Sequence, residues 1–420
     1  MNILYSLPPK IFDILITLLP KIFDMFEREI LKKITLFLDT NDILLFYWAR
    51  QVGKTTLMKI LQHDYITWKS YFFDLENKEY LDLLNNSPDI FVKYLKSYHA
   101  RNEDEKIVVF IDEVQYLDNP TSFLKYLYDH YHNIKLIISW SSTLDIRWKL
   151  KDSLVWRMIK FDIYPLSFSE FLTFKHKQNL TNLIGKKIDL DIINNELMFF
   201  YTEYMTFGWY PKVVLADNIA IKKEYLKQIY STYIEKDIKD IWQIRELEKF
   251  NKLIKVLANQ VGNLVNISEI SNTIGVTIKT LNEWIFLLEN TFVVKLISPF
   301  SGNIRWELTK MPKVFFIDNG IRNFIDNNFD LSWNSFENSF FNTINHGYKA
   351  DKINFYRTQD KKEIDFILDG EPYELKLHYH WKNSSALNYF ETKYHKKGNI
   401  VTMHKSENVL YNVWYPREVW

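Results

Sequence analysis

The chain contains no cysteine, which excludes disulfides, thiolate-bound zinc and cysteine nucleophiles and fits a reducing, cytoplasmic setting. Glycine is also scarce: there are 10 residues, where average usage would give roughly 30 in a chain of this length. Tryptophan, at 13, outnumbers it, and abundant Lys, Ile, Asn, Tyr and Phe point to an AT-rich gene, which itself thins out glycine. Bulk charge of either sign is missing too. The 53 basic and 52 acidic residues leave a net +1, so any affinity for nucleic acid has to come from local patches. Long apolar runs are absent as well. The N-terminal stretch MNILYSLPPKIFDILITLLPKIFDMFEREI is cut by Pro8, Pro9, Lys10, Asp13, Pro20 and Lys21 into pieces too short to span a membrane, and it makes no convincing signal peptide. The motif PKIFD occurs twice in it, from Pro9 and from Pro20, about three helical turns apart, so residues 1–40 read as short amphipathic helices. What is present is 47% hydrophobic residues over a length that suggests two to four domains.

Phosphate-binding chemistry stands out first. In LLFYWARQVGKTTLMKIL, Ile43 to Tyr47 is an apolar run of strand length, and Thr55 to Gln62 has helical spacing. Between them lies most of a G-x-x-x-x-G-K-[ST] loop, running from Trp48 through Ala49, Arg50, Gln51, Val52 and Gly53 to Lys54, Thr55 and Thr56. In such a loop Lys54 reaches the β- and γ-phosphates of ATP, Thr55 ligates Mg²⁺, and the helix points its positive end at the anion. Further on, KIVVFIDEVQYLD reads as a strand buried on both faces, Ile107 to Ile111, ending in Asp112 and Glu113. There Asp112 would hold Mg²⁺ through water and Glu113 would orient or deprotonate the attacking water. A third apolar strand, IKLIISWSS, brings Ser139 to the same sheet edge as a nucleotide-sensing group.

The segments RQVGKTT, FIDEVQ, ISWSS, SLVWR and PLSFSEF, in this order, resemble a group of prokaryotic AAA+ superfamily ATPases. That group carries a C-terminal domain of unknown function related to PD-(D/E)xK nucleases. The resemblance runs from about Phe26 to the end and implies Arg157 as an arginine finger acting across a subunit boundary, in a homo-oligomer. A structural ion pair is the other reading of Arg157. Five departures from the family share one residue type: Trp48, Trp140, Trp156, Trp209 and Trp333 stand where the family has glycine. Each such position is expected to want positive φ or close backbone approach, for which tryptophan is the worst replacement. Translation of UGA codons as Trp, where the source organism reads Gly, gives all five a single cause. The alternative is a nucleotide-dead binding scaffold with a genuine Trp48. Trp284 lies in an apolar helical pattern and need not share that cause.

The expected architecture is α/β: a P-loop AAA+ core over residues 41–184, a helical lid over 185–258, a winged helix over 259–300, and an α/β nuclease-like domain over 301–420. In the winged helix, Ser268 is the expected N-cap, Gly275 the turn, and Thr277, Lys279, Thr280 and Asn282 the residues able to enter a major groove. Further on, RWELTKMPKVFFIDNG reads as a strand entering a turn at Asp318 to Gly320. In EPYELKLHYH, period two puts Tyr373, Leu375, Leu377 and Tyr379 on one face and Glu374, Lys376, His378 and His380 on the other. With Asp365 on a neighbouring strand and Glu337 on the preceding helix, this matches an E…D…ExK nuclease constellation. Its carboxylates would hold Mg²⁺, and Lys376 would assist the nucleophile. The function expected from all this is Mg²⁺-dependent ATP hydrolysis coupled to movement of a DNA-associated C-terminal half, without membrane attachment. An ATP-switched DNA nuclease or mobile-element defence factor is the runner-up.

Overall fold

The computed structural model describes residues 28–48, 52–99, 105–140, 154, 156–188, 190–232, 244, 246–300, 310–347, 353–378, 384–404 and 412–419. The repeated PKIFD segments, loop residues Ala49, Arg50 and Gln51, and Tyr379 and His380 lie outside them, and Trp48 is described by its backbone alone.

Strands β1 (Ile43–Trp48), β2 (Lys69–Asp74), β3 (Ile107–Asp112), β4 (Ile134–Trp140) and β5 (Met158–Ile163) form one sheet in the order β2-β3-β4-β1-β5, parallel throughout. The central strands β3 and β4 are buried at every residue, as largely apolar strands require when helices cover both faces; Lys135 in β4 is buried too, its ammonium donating to the carbonyls of Phe37, Thr40 and Asp42 at 2.7 Å each. Leu44, Phe46, Val108, Phe110 and Ile137 pack with Leu57 and Met58 of helix α1 (Lys54–Ile60) on one face. Ile43, Leu45, Val109, Ile111 and Ile138 pack with Phe123, Leu124 and Leu127 of α2 (Pro120–His130) on the other. Because every strand runs the same way, the C-terminal ends of β1, β3 and β4 share one edge. The chain order reverses there, which is where open α/β sheets bind ligands.

Helix α3 (Phe168–Phe174) starts with a Ser167/Glu170 capping box, and α4 (Asp191–Phe207) stops at Gly208, whose φ is 74°. Next come α5 (Leu247–Asn259), α6 (Ile267–Ile274) and α7 (Ile278–Asn290), and an antiparallel ribbon of β6 (Val294–Ile297) with β7 (Lys313–Phe316). Gly275 makes the α6–α7 turn at φ 71°. The N-cap of α6 is Asn266, which accepts from the Glu269 amide at 3.3 Å, and Ser268 falls inside the first turn instead of capping it. The second ribbon strand lies past residue 300, so the ribbon crosses the expected boundary. Asp318 opens a helix, α8 (Asn319–Ile325), rather than a simple turn, because its carboxylate accepts the Ile321 amide at 2.8 Å. From α8, Asn319 and Asn323 donate to the carbonyls of Met205 and Thr206, at 2.9 Å each, tying it to the end of α4. A Cβ on Gly320 would lie 2.1 Å from the Phe207 carbonyl oxygen, so only glycine permits this approach.

The C-terminal part is α9 (Trp333–Gly347), β8 (Ile353–Arg357), β9 (Glu363–Leu368), β10 (Glu371–His378), α10 (Ser385–Tyr394), β11 (Asn399–His404) and β12 (Asn412–Trp414). Its sheet runs β12-β11-β10-β9-β8, antiparallel from β8 to β10 and parallel from β10 to β12. Among the described residues no helix is long and apolar enough to cross a membrane.

Candidate functional site

Five polar side chains meet at the C-terminal edge of the first sheet. Thr55, in the first turn of α1, donates its hydroxyl to Asp112 Oδ2 at 2.8 Å. Ser139, at the end of β4, donates to Asp112 Oδ1 and accepts the Glu113 amide at 2.7 Å. The Lys54 ammonium is 3.6 Å from Asp112 Oδ1 and in direct contact with Glu113. Asp112 and Glu113 are 2% and 5% exposed, and such buried carboxylates persist only when paired. Gly53 caps α1 at φ 86°, and Thr56 follows in the same first turn. Glu113 has φ 57° and ψ 49°, a left-handed conformation that costs a non-glycine residue about 1–3 kcal/mol and collects at functional sites. The arrangement offers a cation and a helix N-terminus for phosphates, a hydroxyl and a carboxylate for a divalent metal, and a second carboxylate for a water.

Two supporting residues escaped the sequence reading. Gln115 donates to Glu113 Oε2 and fixes its orientation. Arg28, 6% exposed, donates to the carbonyls of Val52 at 3.1 Å and Tyr164 at 2.7 Å, and its Nε lies 3.0 Å from Glu170. One guanidinium thus fastens the phosphate loop to the segment after β5 and to α3. In the sequence Arg28 is one charged residue just before the short helix Ile30–Thr35, which carries two lysines itself.

Arg157 is not brought to this site. It precedes β5, and its carbonyl accepts the Ile43 amide, which places it at the opposite end of the parallel sheet. There it pairs with Asp129 at 3.0 Å, beside the Tyr128 ring.

The tryptophans divide. Trp140, Trp209 and Trp333 do not have positive φ, so of the two expected demands only close backbone approach is left for them; beside Trp209 the positive φ lies on Gly208. Trp209 is fully buried, stacks on Tyr204 with centroids 4.4 Å apart, and donates its indole N–H to the Ile317 carbonyl at 2.9 Å. Trp140 is equally buried, but among the described residues its indole nitrogen has no hydrogen-bond partner. Trp156 is 89% exposed, and Trp333, half-buried, opens α9.

The C-terminal carboxylates lie close together, each already engaged. Glu374 is held by Lys376 at 2.6 Å and by the Ser384 hydroxyl, and Asp365 accepts the Leu375 amide at 2.8 Å. Glu337 pairs with Lys313 at 3.1 Å, and the same ammonium reaches Glu363 at 2.6 Å. Burial pushes the Glu337 and Asp365 carboxyls up, with Lys313 pulling against it. Burial opposes the charge on Lys313, but Glu337, Asp365 and Glu363 outweigh it and hold the ammonium above its ordinary range. The alternation expected along β10 is partial: Leu375 is buried, but so is Glu374, under its two partners. Among the described residues, no group of three or more His, Asp or Glu is arranged to hold a metal ion. In the helix–turn–helix segment, Thr277 is spent capping α7, accepting the Thr280 amide at 3.1 Å, while Lys279 is exposed.

Residues 40–172 match the family model of an AAA domain, and residues 198–332 match that of a domain of unknown function, DUF8612. The second match runs from α4 through α8, the elements tied together by Asn319 and Asn323. An uncharacterized protein of Haemophilus influenzae is 28% identical over 350 residues, covering 80% of this chain and 82% of its own length. An uncharacterized protein of Methanocaldococcus jannaschii is 26% identical over 350 residues, covering 82% of this chain and 76% of its own. Among solved structures, a chain of Drosophila ORC bound to DNA aligns over 74% of this chain and 95% of its own, with 16% identity and a TM-score of 0.28.

Proposed function

We propose that this AAA-domain protein binds and hydrolyses ATP with Mg²⁺ and uses the cycle to move its C-terminal half. The observation that carries the reading is the convergence of Lys54, Thr55, Asp112, Glu113 and Ser139 at the switch point of the parallel sheet, inside the segment that matches an AAA domain. In this reading Lys54 exchanges its carboxylate partners for the β- and γ-phosphates, and Thr55 with Asp112 hold the metal. Glu113, steadied by Gln115, positions and deprotonates the attacking water. Bound Mg²⁺ supplies charge neutralisation at the phosphate oxygens.

Purified wild-type chain is expected to release phosphate from ATP. Glu113→Gln should bind nucleotide but lose turnover, and Lys54→Ala should lose binding. Absence of turnover together with absence of binding in the wild type removes the proposal and leaves the scaffold reading. Association with DNA is the finer part of the proposal. Its support is the helix–turn–helix and two-stranded ribbon of α6, α7, β6 and β7, read as a winged helix, with Lys279 exposed on α7. Fluorescence anisotropy on duplex DNA tests it: binding should weaken as salt rises and weaken further in Lys279→Ala. The order α9, three antiparallel strands, α10 and a parallel strand supports a nuclease-like fold for the remainder.

A further inference from the structure

The constellation that suggests a nuclease comprises three carboxylates, Glu337, Asp365 and Glu374, and the ammonium of Lys376. Its formal charge of about −2 would suit one divalent cation. The structure adds a residue that the constellation does not contain. Lys313, on β7, is 1% exposed and points its ammonium into the same cluster, 3.1 Å from Glu337 Oε1 and 2.6 Å from Glu363 Oε1. Lysine is almost never fully buried unless it is paired, and desolvating each ion costs several kcal/mol that only close partners return.

The residues do not fit a metal there. A hard dication needs oxygens at about 2.0–2.6 Å, and the Glu337 oxygen that would supply one is already the acceptor of a buried ammonium. The other oxygen of Glu337 faces the Gly262 backbone so closely that a Cβ on Gly262 would lie 2.0 Å from it. Glu363 has its second oxygen on Arg357 at 3.0 Å, and Glu374 is shared between Lys376 and Ser384. With Lys313, its second partner Glu363 and the Arg357 guanidinium on Glu363 all counted, the formal charge falls to about −1, half of what a dication would meet.

We infer that the Lys313 ammonium is the resident cation of the Glu337–Glu363–Asp365 cluster, standing in the place of a divalent metal. The C-terminal half in its native form therefore takes up no such metal. Because β7 belongs to the ribbon that follows the helix–turn–helix, this one ammonium also bolts that unit to the carboxylates of α9 and β9.

The test is Mn²⁺ titration, followed by electron paramagnetic resonance, of the full nucleotide-free chain carrying Asp112→Asn to silence the ATPase site. The chain with Lys313 intact should show no saturable Mn²⁺ site. Adding Lys313→Met should create one site per chain, lost again when Asp365→Asn is combined with it. A saturable site in the Lys313-containing chain that disappears in Glu337→Gln or Asp365→Asn overturns the inference. So does a folded Lys313→Met chain that gains no Mn²⁺. Metal-dependent nicking of plasmid DNA by the wild type, abolished by Glu374→Ala, overturns it equally. If Lys313→Met does not fold, the titration of the Lys313-containing chain alone decides.

Discussion

Replacing Trp209 by glycine separates a genuine tryptophan from a recoded codon. The indole is fully buried, stacked on Tyr204 and hydrogen-bonded to the Ile317 carbonyl. A tryptophan side chain buries about 150–250 Å². At about 25 cal/mol per Å² that is roughly 4–6 kcal/mol, an upper figure because the unfolded chain already hides part of it. The lost hydrogen bond adds about 1 kcal/mol and the freedom of glycine about 0.5–1 kcal/mol. With the area term cut by about 10–40% for burial in the unfolded chain and the other two added, Trp209→Gly should cost about 4–7 kcal/mol, against a total domain stability of about 5–15 kcal/mol. The assay is urea unfolding of both chains, with Trp156→Gly as control. That residue is 89% exposed, so its replacement should change stability by no more than about 1 kcal/mol. A Trp209→Gly chain as stable as the starting one refutes the packing argument and makes glycine the natural residue. The mass of the native tryptic peptide ending at Arg50, from the source organism, decides residue 48 independently.

Arg28→Met should raise the ATP concentration needed for half-saturation by about tenfold or more, because the Val52 carbonyl loses its anchor and Glu170 is left buried without its cation. Fluorescent-nucleotide binding reads this, and an unchanged affinity refutes the role of the clip. His346 is half-buried against Tyr164, and desolvation pushes its imidazole down to about 4. The unfolded chain, with its value near 6.5, binds a proton that the native chain refuses, so stability is lost as pH falls from 6.5 towards 4, by about 2 kcal/mol at pH 5. Urea unfolding at pH 5 and 7 should show that loss in the wild type and not in His346→Gln; equal slopes refute it. Arg157→Ala should lower turnover with little loss of ATP binding if the residue acts on a neighbouring subunit. Unchanged turnover removes Arg157 from the mechanism.

The parallel core was legible because its signals are local. A continuous apolar run marks β3, a mostly apolar one marks β4, and a glycine, lysine and threonine between a strand and a helix mark the loop at Gly53 to Thr55. What escaped depends on contacts distant in sequence. Arg28 acts through carbonyls 24 and 136 residues away, and Lys313 through a carboxylate 24 residues on. Neither leaves a periodicity to read. The N-cap of α6 lies two residues before Ser268: Asn266 and Ser268 both satisfy the local rule, and only the extended backbone at Asn266 chooses between them. The tryptophans were grouped by residue type, while their environments differ. Among the described residues the buried indole of Trp140 has no partner, whereas that of Trp209 donates to the Ile317 carbonyl.

The route by which nucleotide could act on the C-terminal half is short. Strand β1 leads directly into the phosphate loop, and its Tyr47 donates its hydroxyl to the Asn290 carbonyl at the end of α7, at 3.0 Å. The Tyr47 ring also packs against Phe292, centroids 5.2 Å apart, and Phe292 meets Tyr164 at 5.5 Å. Tyr164 in turn meets His346 of α9 at 5.7 Å, and its carbonyl is the one that Arg28 clamps together with Val52. Phe292 holds φ at 55°, a strained position for an aromatic residue, so the turn between α7 and β6 is held by its packing rather than by its own preference. A shift of the loop after β1 would meet two elements at once, the turn that sets the ribbon and the helix that carries Glu337. Because β7 of that ribbon also carries Lys313, movement of the ribbon against α9 has to carry the buried ion pair with it or break it. Breaking such a pair costs about 3–5 kcal/mol, which favours rigid motion of the ribbon and the C-terminal sheet together over separation of the two.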